Sequence, residues 1–237
     1  MKSKLEAVIF DGDDTLWETM SLYSRAKNEF DALLKSSAFK TDNIIEKLDD
    51  LDTEQARKFG ISKDRFANSM LILYEQLSKS ENIQYSQELA SKIQEIGYSV
   101  FKKPILFKDS LETLHRLRDS GYKILLLTKG DQEIQRMKTD TLGITGYFDK
   151  IYIYPKKRLE EYQEVLSDSK LTPSRTWVVG NSASSDINPA TKLGITGILV
   201  PKETWKFEEG NLEGKAYVVQ SLKDAADIIL KNSPSYR

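Results

Sequence analysis

The 237-residue chain contains no cysteine and only one histidine, His115. The absence of cysteine excludes disulfides, thiolate zinc sites, iron–sulfur clusters and cysteine nucleophiles. A single histidine rules out multi-histidine metal sites and nearly every Ser–His–Asp arrangement. Its neighbours Leu114 and Leu117 indicate a surface or packing role for His115. Any catalysis must therefore use carboxylates, lysine, serine or threonine hydroxyls and a hard metal ion.

The sequence also lacks an excess of charge of either sign and any long hydrophobic run. Thirty-five lysines and arginines oppose 36 aspartates and glutamates, which gives a net charge of −1. Nucleic-acid-binding surfaces usually show a basic excess, so we expect no nucleic-acid partner. No apolar run has the length of a signal peptide or a transmembrane helix. We therefore predict a cytoplasmic globular protein with no membrane partner.

Six short apolar runs alternate along the chain with segments of helical periodicity. Apolar runs that stop abruptly at polar residues are typical of buried strands. The runs lie at residues 5–10, 122–128, 150–154, 176–179, 196–200 and 216–219. The helical segments lie at residues 109–120, 132–142, 159–169, 187–193 and 222–232. Strands that alternate with helices predict an α/β fold with a Rossmann-like parallel sheet covered on both faces.

One region interrupts this alternation. From residue 17 to residue 103 there is no convincing strand, and the pattern predicts amphipathic helices at residues 18–35, 43–59, 63–78 and 86–100. We therefore predict two domains. An α/β core domain comprises residues 1–16 and 104–237, and an all-helical domain at residues 17–103 is inserted after the first strand. The polar stretch at residues 202–214 is interpreted as a loop.

Three carboxylates follow the first predicted strand within four positions: Asp11, Asp13 and Asp14. Like charges at this spacing repel one another, and a divalent cation is a common way to neutralise them. The carboxyl ends of parallel strands are also where open α/β sheets bind ligands. The alternative interpretation is a solvated acidic turn that ends the strand.

Polar residues at the ends of three further strands favour a site. The second strand ends at Thr128, before a glycine-containing turn whose backbone N–H groups can face a phosphate. Lys156 and Lys157 follow the third strand, and oxygen-bearing side chains at residues 180–186 follow the fourth. Each feature alone is compatible with an ordinary turn or cap. Together they indicate one site at the carboxyl edge of the sheet.

In their order and position these motifs make the sequence similar to the haloacid dehalogenase superfamily of hydrolases. The Asp-x-Asp-x-Thr motif of that family corresponds to residues 11–15, its strand-ending threonine to Thr128, its lysine to Lys156 or Lys157, and its last acidic loop to residues 180–186. The register of the lysine against that last loop favours Lys157, whereas the Lys-Pro-Asp-Pro pattern of many members, absent here, would favour Lys156. The resemblance spans essentially the whole chain and implies the subclass with a helical cap.

The resemblance implies a role for each of these residues. Asp11 would attack phosphorus and form an aspartyl-phosphate, and Asp13 would protonate the leaving oxygen and then activate water. The lysine would neutralise charge in the transition state. Thr128 would hydrogen-bond a phosphoryl oxygen. Gly12 and Lys129 complete the predicted phosphate-binding residues.

Mg²⁺ is the cofactor that the resemblance implies. Its ligands would be the Asp11 side chain, the main-chain carbonyl of Asp13, and Asn181, Asp186 or both. Asn181 stands where the family has an acid. An amide oxygen can bind a hard cation, but it contributes no charge.

The implied function is hydrolysis of a small phosphorylated metabolite by a Mg²⁺-dependent phosphomonoesterase. Asp13 favours phosphate chemistry, because dehalogenases of the family need no acid for the leaving group. The alternatives are a phosphomutase or a 2-haloacid dehalogenase on the same scaffold. A catalytically weak binding or regulatory relative is a further alternative, with Asn181 as the first sign of lost activity.

Overall fold

A computed structural model of the protein describes residues 7–60, 62–202 and 210–232. The first two residues of the predicted first strand, and most of the loop predicted at residues 202–214, lie outside these ranges. The chain divides into two compact units. We call Met1–Glu18 with Ile105–Arg237 the core unit, and Thr19–Pro104 the helical unit. The assignment of separate catalytic and cap domains to the chain stays a prediction.

The core unit contains a six-stranded sheet in which all neighbouring strands are parallel, in the order β5-β4-β1-β6-β7-β8. The strands among the described residues are β1 (Ala7–Phe10), β2 (Trp17–Glu18), β3 (Ile105–Leu106), β4 (Lys123–Lys129), β5 (Lys150–Tyr154), β6 (Thr176–Gly180), β7 (Thr196–Leu199) and β8 (Tyr217–Val218). The predicted α/β fold with a parallel sheet is confirmed.

Both faces of the sheet are covered, as the continuous apolar runs predict. In β1, Val8 and Phe10 belong to one buried cluster, while Ala7 and Ile9 belong to the cluster on the other face. Alternate residues of a strand point to opposite faces, so every position of β1 is buried. β1 lies between β4 and β6, and the segment that follows it therefore emerges at the middle of the sheet.

β2 and β3 form a short antiparallel ribbon that the sequence did not predict. Trp17 pairs with Leu106 and Glu18 with Ile105. The prediction that residues 17–103 contain no strand, with a first helix from residue 18, is wrong at this point. Two residues are too few to show the alternation by which a strand is recognised. The ribbon joins the two places where the chain leaves and re-enters the core unit.

The described part of the helical unit contains four helices, each within two residues of its predicted bounds. They are α1 (Met20–Ser36), α2 (Ile44–Phe59), α3 (Arg65–Ser80) and α4 (Gln87–Ser99). Its interior is formed by large apolar side chains from all four helices, including Phe30, Leu48, Phe66 and Ile93. An ion pair between the buried Arg65 and the half-buried Asp52 joins α3 to α2.

Gly97 allows α4 to pack closely on α3. A Cβ atom at this position would lie 2.5 Å from Ala67 Cα and 2.7 Å from Ala67 Cβ. At an exposed position inside a helix, Gly→Ala raises the free energy of unfolding by up to about 1 kcal/mol. We expect Gly97→Ala instead to lower the free energy of unfolding by about 1–3 kcal/mol, because the two helices must move apart. Urea denaturation measures this, with Gly146→Ala as control, since a Cβ there would have no neighbour within 4 Å. Equal effects of the two substitutions would contradict the packing argument.

The helices of the core unit flank its sheet. They are α5 (Ser110–Asp119), α6 (Gln132–Thr141), α7 (Leu159–Asp168), α8 (Asn188–Lys192) and α9 (Leu222–Lys231), with one π-helical turn at Ala183–Ile187 just before α8. His115 is exposed on α5 and its Nε2 lies 2.6 Å from the hydroxyl of Tyr147, which agrees with the surface or packing role expected for it. Within the described ranges, no helix combines the length and the apolar character needed to cross a membrane.

Candidate active site

The chain turns sharply where β1 ends. The carbonyl of Gly12 accepts hydrogen bonds from the N–H groups of Thr15 (3.1 Å), Leu16 (2.8 Å) and Trp17 (3.2 Å). A Cβ atom at position 12 would lie 2.3 Å from the buried Trp17 ring, so only glycine fits there. Asp14 has a φ of +56°, a left-handed conformation that is uncommon outside glycine. This turn presents the first two aspartates, Asp11 and Asp13, on one loop.

A buried group of charges surrounds Asp11. Lys157 Nζ contacts Asp11 Oδ1 and lies 2.5 Å from Asp186 Oδ1. The Thr15 hydroxyl donates to Asp11 Oδ2 at 2.8 Å, and Lys157 also donates to the Leu127 carbonyl at 3.3 Å. Asp11 and Lys157 are each only 6% exposed, and Asp186 is fully buried. The lysine thus lies between two carboxylates at the centre of the sheet edge.

The pKa values of these groups reflect both burial and charge. Burial raises the pKa of Asp11, Asp186 raises it further and Lys157 partly opposes them, which leaves it at about 7. Burial alone would lower the pKa of the Lys157 ammonium, but Asp11 and Asp186 raise it well above its usual value. One cation therefore faces two buried carboxylates. The remaining negative charge favours a further cation at this place.

Of the two candidate lysines, only Lys157 lies in this group. Lys156 is exposed, whereas the Lys157 side chain reaches inward to Asp11. The geometry therefore supports Lys157, the alternative that its register against the loop after β6 favoured.

The loop after β6 brings Asn181 and Asp186 to the site. Asp186 Oδ2 accepts from the Ser182 N–H at 2.9 Å, while its Oδ1 faces Lys157. Gly180 leaves room for this carboxylate, because a Cβ there would lie 2.4 Å from Asp186 Oδ2. Asn181 Oδ1 lies 3.3 Å from the Thr15 hydroxyl. Asp186 is fully buried with its Oδ1 against Lys157, whereas Asn181 is partly exposed, so Asn181 is the better placed of the two to bind a metal directly.

The end of β4 contributes Thr128, next to the loop that carries Asp11. Its hydroxyl is buried and has no hydrogen-bond partner within the described part of the chain. A buried hydroxyl without a partner costs about 1–3 kcal/mol, and an acceptor from a ligand would remove that cost. The prediction that the following turn offers its N–H groups to a phosphate is wrong for Gly130, whose N–H donates to the Tyr154 carbonyl at 2.9 Å. That bond is the last of the parallel ladder between β4 and β5, at the pair Lys129–Tyr154.

Asp13 is held by residues that sequence reasoning missed. Its Oδ1 accepts from Trp17 Nε1 at 2.7 Å and from Lys138 Nζ at 2.5 Å, and its Oδ2 accepts from Gln135 Nε2 at 2.5 Å. Gln135 and Lys138 lie on the buried face of α6, three residues apart. The signal that could have found them is this pair of polar residues at i and i+3 on a helix face that should be apolar.

The donors of the site suit a hard cation held in part by substrate. The described residues contain no group of three or more His, Cys, Asp or Glu side chains arranged around a metal position. Mg²⁺ is usually held by one or two carboxylates together with water and substrate phosphate, not by a complete protein cage. The Asp11 carboxylate, the Asp13 main-chain carbonyl and the Asn181 amide oxygen are all hard oxygen donors. These residues therefore fit Mg²⁺ in that mode.

A parallel α/β sheet with paired aspartates, a lysine and a hydroxyl at its carboxyl edge defines a class of hydrolases. The profile of haloacid dehalogenase-like hydrolases matches residues 5–194, which is most of the chain. The protein belongs to this family, and the resemblance seen in the sequence is confirmed.

Several relatives are similar over nearly their whole length. Glyceraldehyde 3-phosphate phosphatase from Methanothermobacter thermautotrophicus is 27% identical over 94% of this chain and 98% of its own. The protein of the same name from Methanocaldococcus jannaschii is 25% identical over 95% of this chain and 97% of its own. Among solved structures, a haloacid dehalogenase-like hydrolase from Xanthomonas campestris matches with a TM-score of 0.76 at 25% identity, covering 96% of this chain and 91% of its own.

Proposed function

We propose that the protein is a Mg²⁺-dependent phosphomonoesterase that acts on a small phosphorylated metabolite through an aspartyl-phosphate. The observation that carries this proposal is the buried Asp11 carboxylate, paired with Lys157 beside the unpartnered hydroxyl of Thr128. A nucleophile, a cation and a hydroxyl donor are the groups that phosphoryl transfer requires. The names of the curated relatives make glyceraldehyde 3-phosphate the first substrate to test.

In the first step an oxygen of Asp11 attacks phosphorus and the bond from phosphorus to the ester oxygen breaks. Asp13 gives its proton to that oxygen, which leaves as an alcohol. Thr128 donates a hydrogen bond to a phosphoryl oxygen, and Lys157 helps to keep Asp11 ionised. In the second step Asp13 takes a proton from water as the water attacks phosphorus. Inorganic phosphate is released and Asp11 is restored.

Three groups would hold Mg²⁺: the Asp11 carboxylate, the main-chain carbonyl of Asp13 and the amide oxygen of Asn181. When bound, the ion neutralises charge between the anionic carboxylate and the anionic phosphoryl group. Asp186 serves this arrangement by fixing Lys157, which it contacts at 2.5 Å.

Release of phosphate from glyceraldehyde 3-phosphate tests the proposal. We expect the wild-type protein to release phosphate with Mg²⁺ and to lose this activity with EDTA, while a panel of other small phosphate esters ranks the substrates. Isomerised sugar phosphate without free phosphate would instead indicate a mutase. Absence of hydrolysis across the panel, with Mg²⁺ present and the protein folded, would leave a binding relative as the better description.

Asn181→Asp tests the metal position separately. The substitution adds a charged ligand of nearly the same shape beside Asp11, so we expect Mg²⁺ to activate at about tenfold lower concentration. The matched control is Asn211→Asp, which adds the same charge to an exposed residue. Mg²⁺ titration of phosphate release provides the measurement. An unchanged Mg²⁺ requirement in Asn181→Asp would place the ion away from this side chain.

A further inference from the structure

Two side chains of one helix contact the carboxylate of Asp13. Gln135 Nε2 and Lys138 Nζ each lie 2.5 Å from an Asp13 oxygen, on opposite oxygens. Both side chains belong to α6, which packs within the core unit as Asp13 does. The carboxylate is carried by a loop, but these two donors come from a regular helix.

The charge on Lys138 is costly to bury. The residue is only 5% exposed, whereas the Asp13 side chain is 27% exposed. A buried ammonium is unfavourable unless it is paired, and an apolar side chain of similar volume would pack without that penalty. Helix packing alone therefore does not account for a lysine here. Its pairing with Asp13 does.

Gln135 is itself fixed in place. Its Nε2 also donates to the Lys129 carbonyl at 2.9 Å, which ties the side chain to the end of β4. A Cβ on Gly130 would lie 3.1 Å from the same Nε2, so the backbone passes close against the amide. The helix begins with Asp131 as N-cap, accepting from the Ile134 N–H at 3.1 Å. The donors therefore stand on a well-anchored helix start.

We infer that Gln135 and Lys138 are positioning residues that orient the Asp13 carboxyl for proton transfer to the leaving oxygen. The ion pair with Lys138 is that of the carboxylate, the form in which Asp13 is left once it has given up its proton. The inference rests on the proposed function. In that step the Asp11–phosphorus bond forms, the phosphorus–ester bond breaks and the Asp13 proton passes to the departing oxygen. A misplacement of about 1 Å in such a step can cost about 100-fold in rate. Side chains held by a helix and a strand end limit that misplacement better than the loop alone.

The test compares two esters of nearly the same shape, phenyl phosphate and 4-nitrophenyl phosphate. Phenolate is the stronger base of the two leaving groups and depends more on a proton from Asp13. The quantity to compare is kcat/KM, because it reports the steps up to formation of the aspartyl-phosphate. We expect Lys138→Met to lower kcat/KM for phenyl phosphate about tenfold more than for 4-nitrophenyl phosphate. Asp13→Asn should show the same selectivity more strongly.

Arg136→Met is the matched control, because Arg136 is exposed on the same helix and loses the same charge. This substitution should leave kcat/KM unchanged for both esters. If Lys138→Met does not fold, Gln135→Met takes its place, because it removes one hydrogen-bond donor to Asp13 without removing a charge. It should show the same selectivity between the two esters. Equal losses on both esters in the folded variants, with Asp13→Asn selective, would overturn the inference and leave the proposed function standing. A folded wild-type protein that hydrolyses neither ester would overturn both.

Discussion

Asp11→Asn abolishes phosphate release, with an expected loss of about 10⁴-fold or more, because no other group on the loop can replace the nucleophile. The same variant becomes more stable in metal-free buffer at neutral pH. Wild-type protein pairs one buried ammonium, Lys157, with two buried carboxylates. The variant leaves one ammonium paired with Asp186 alone, so the excess negative charge is gone.

The pH dependence of this gain has a definite sign. The pKa of Asp11 is raised from 3.8 to about 7 in the folded protein. The folded protein therefore binds the Asp11 proton more tightly than the unfolded chain does. The stability that this binding contributes is fully present below the pKa of the unfolded chain and is lost as the pH rises from about 4 to about 7. The unfolding midpoint of Asp11→Asn should exceed that of wild type by a few degrees above pH 7 and by less at pH 5. Thermal unfolding in EDTA measures this.

Asp119→Asn serves as the control, since it removes an exposed carboxylate from α5. It should change neither phosphate release nor the unfolding midpoint. An Asp11→Asn variant that is less stable than wild type at pH 8 would show that the carboxylate is needed to hold Lys157. Retained turnover in that variant would exclude Asp11 as the nucleophile.

Lys157→Met is expected to have the largest effect on folding. Asp11 and Asp186 would then face each other in the protein interior with no cation between them. Breaking a buried ion pair from one side costs about 3–5 kcal/mol, and phosphatase activity should be lost with it. Because one of the two carboxyls must then bind a proton, the variant should regain stability as the pH falls toward 5.

Lys156→Met is the matched control for this substitution, because the neighbouring lysine is exposed. It should unfold at the wild-type denaturant concentration and keep its activity. Urea denaturation of both variants at pH 5 and pH 8 provides the comparison. If the two lysine variants behaved alike, the buried contacts of Lys157 would have no energetic importance.

The sequence predicted those parts of the molecule that depend on pattern and order. Apolar runs such as those of β1 and β4 predicted the parallel sheet. Its topology brings Asp11 and Thr128 to the ends of neighbouring strands. The carboxyl ends of parallel strands lie at one edge of the sheet, so the sequence alone is enough to place these distant residues together. The four helices of the helical unit followed from their apolar periodicity in the same way.

Contacts made by side chains across the fold were not predictable in this way. The sequence alone left Lys156 and Lys157 as alternatives, and they are separated only by which of them points inward after β5. Gln135 and Lys138 were missed because a polar pair on one face of α6 indicates a buried polar contact but does not identify Asp13 as its partner. The role of Asp186 toward Lys157 depends on the π-helical turn at Ala183–Ile187, which carries no recognisable pattern.

The indole of Trp17 lies inside the core unit and hydrogen-bonds the carboxylate of Asp13 at 2.7 Å. The molecule thus carries a natural fluorophore that is hydrogen-bonded to the side chain proposed to transfer protons. A change in that bond alters the surroundings of the ring. Tryptophan emission therefore offers a label-free optical signal for ligand binding and single turnovers, recorded in a stopped-flow instrument.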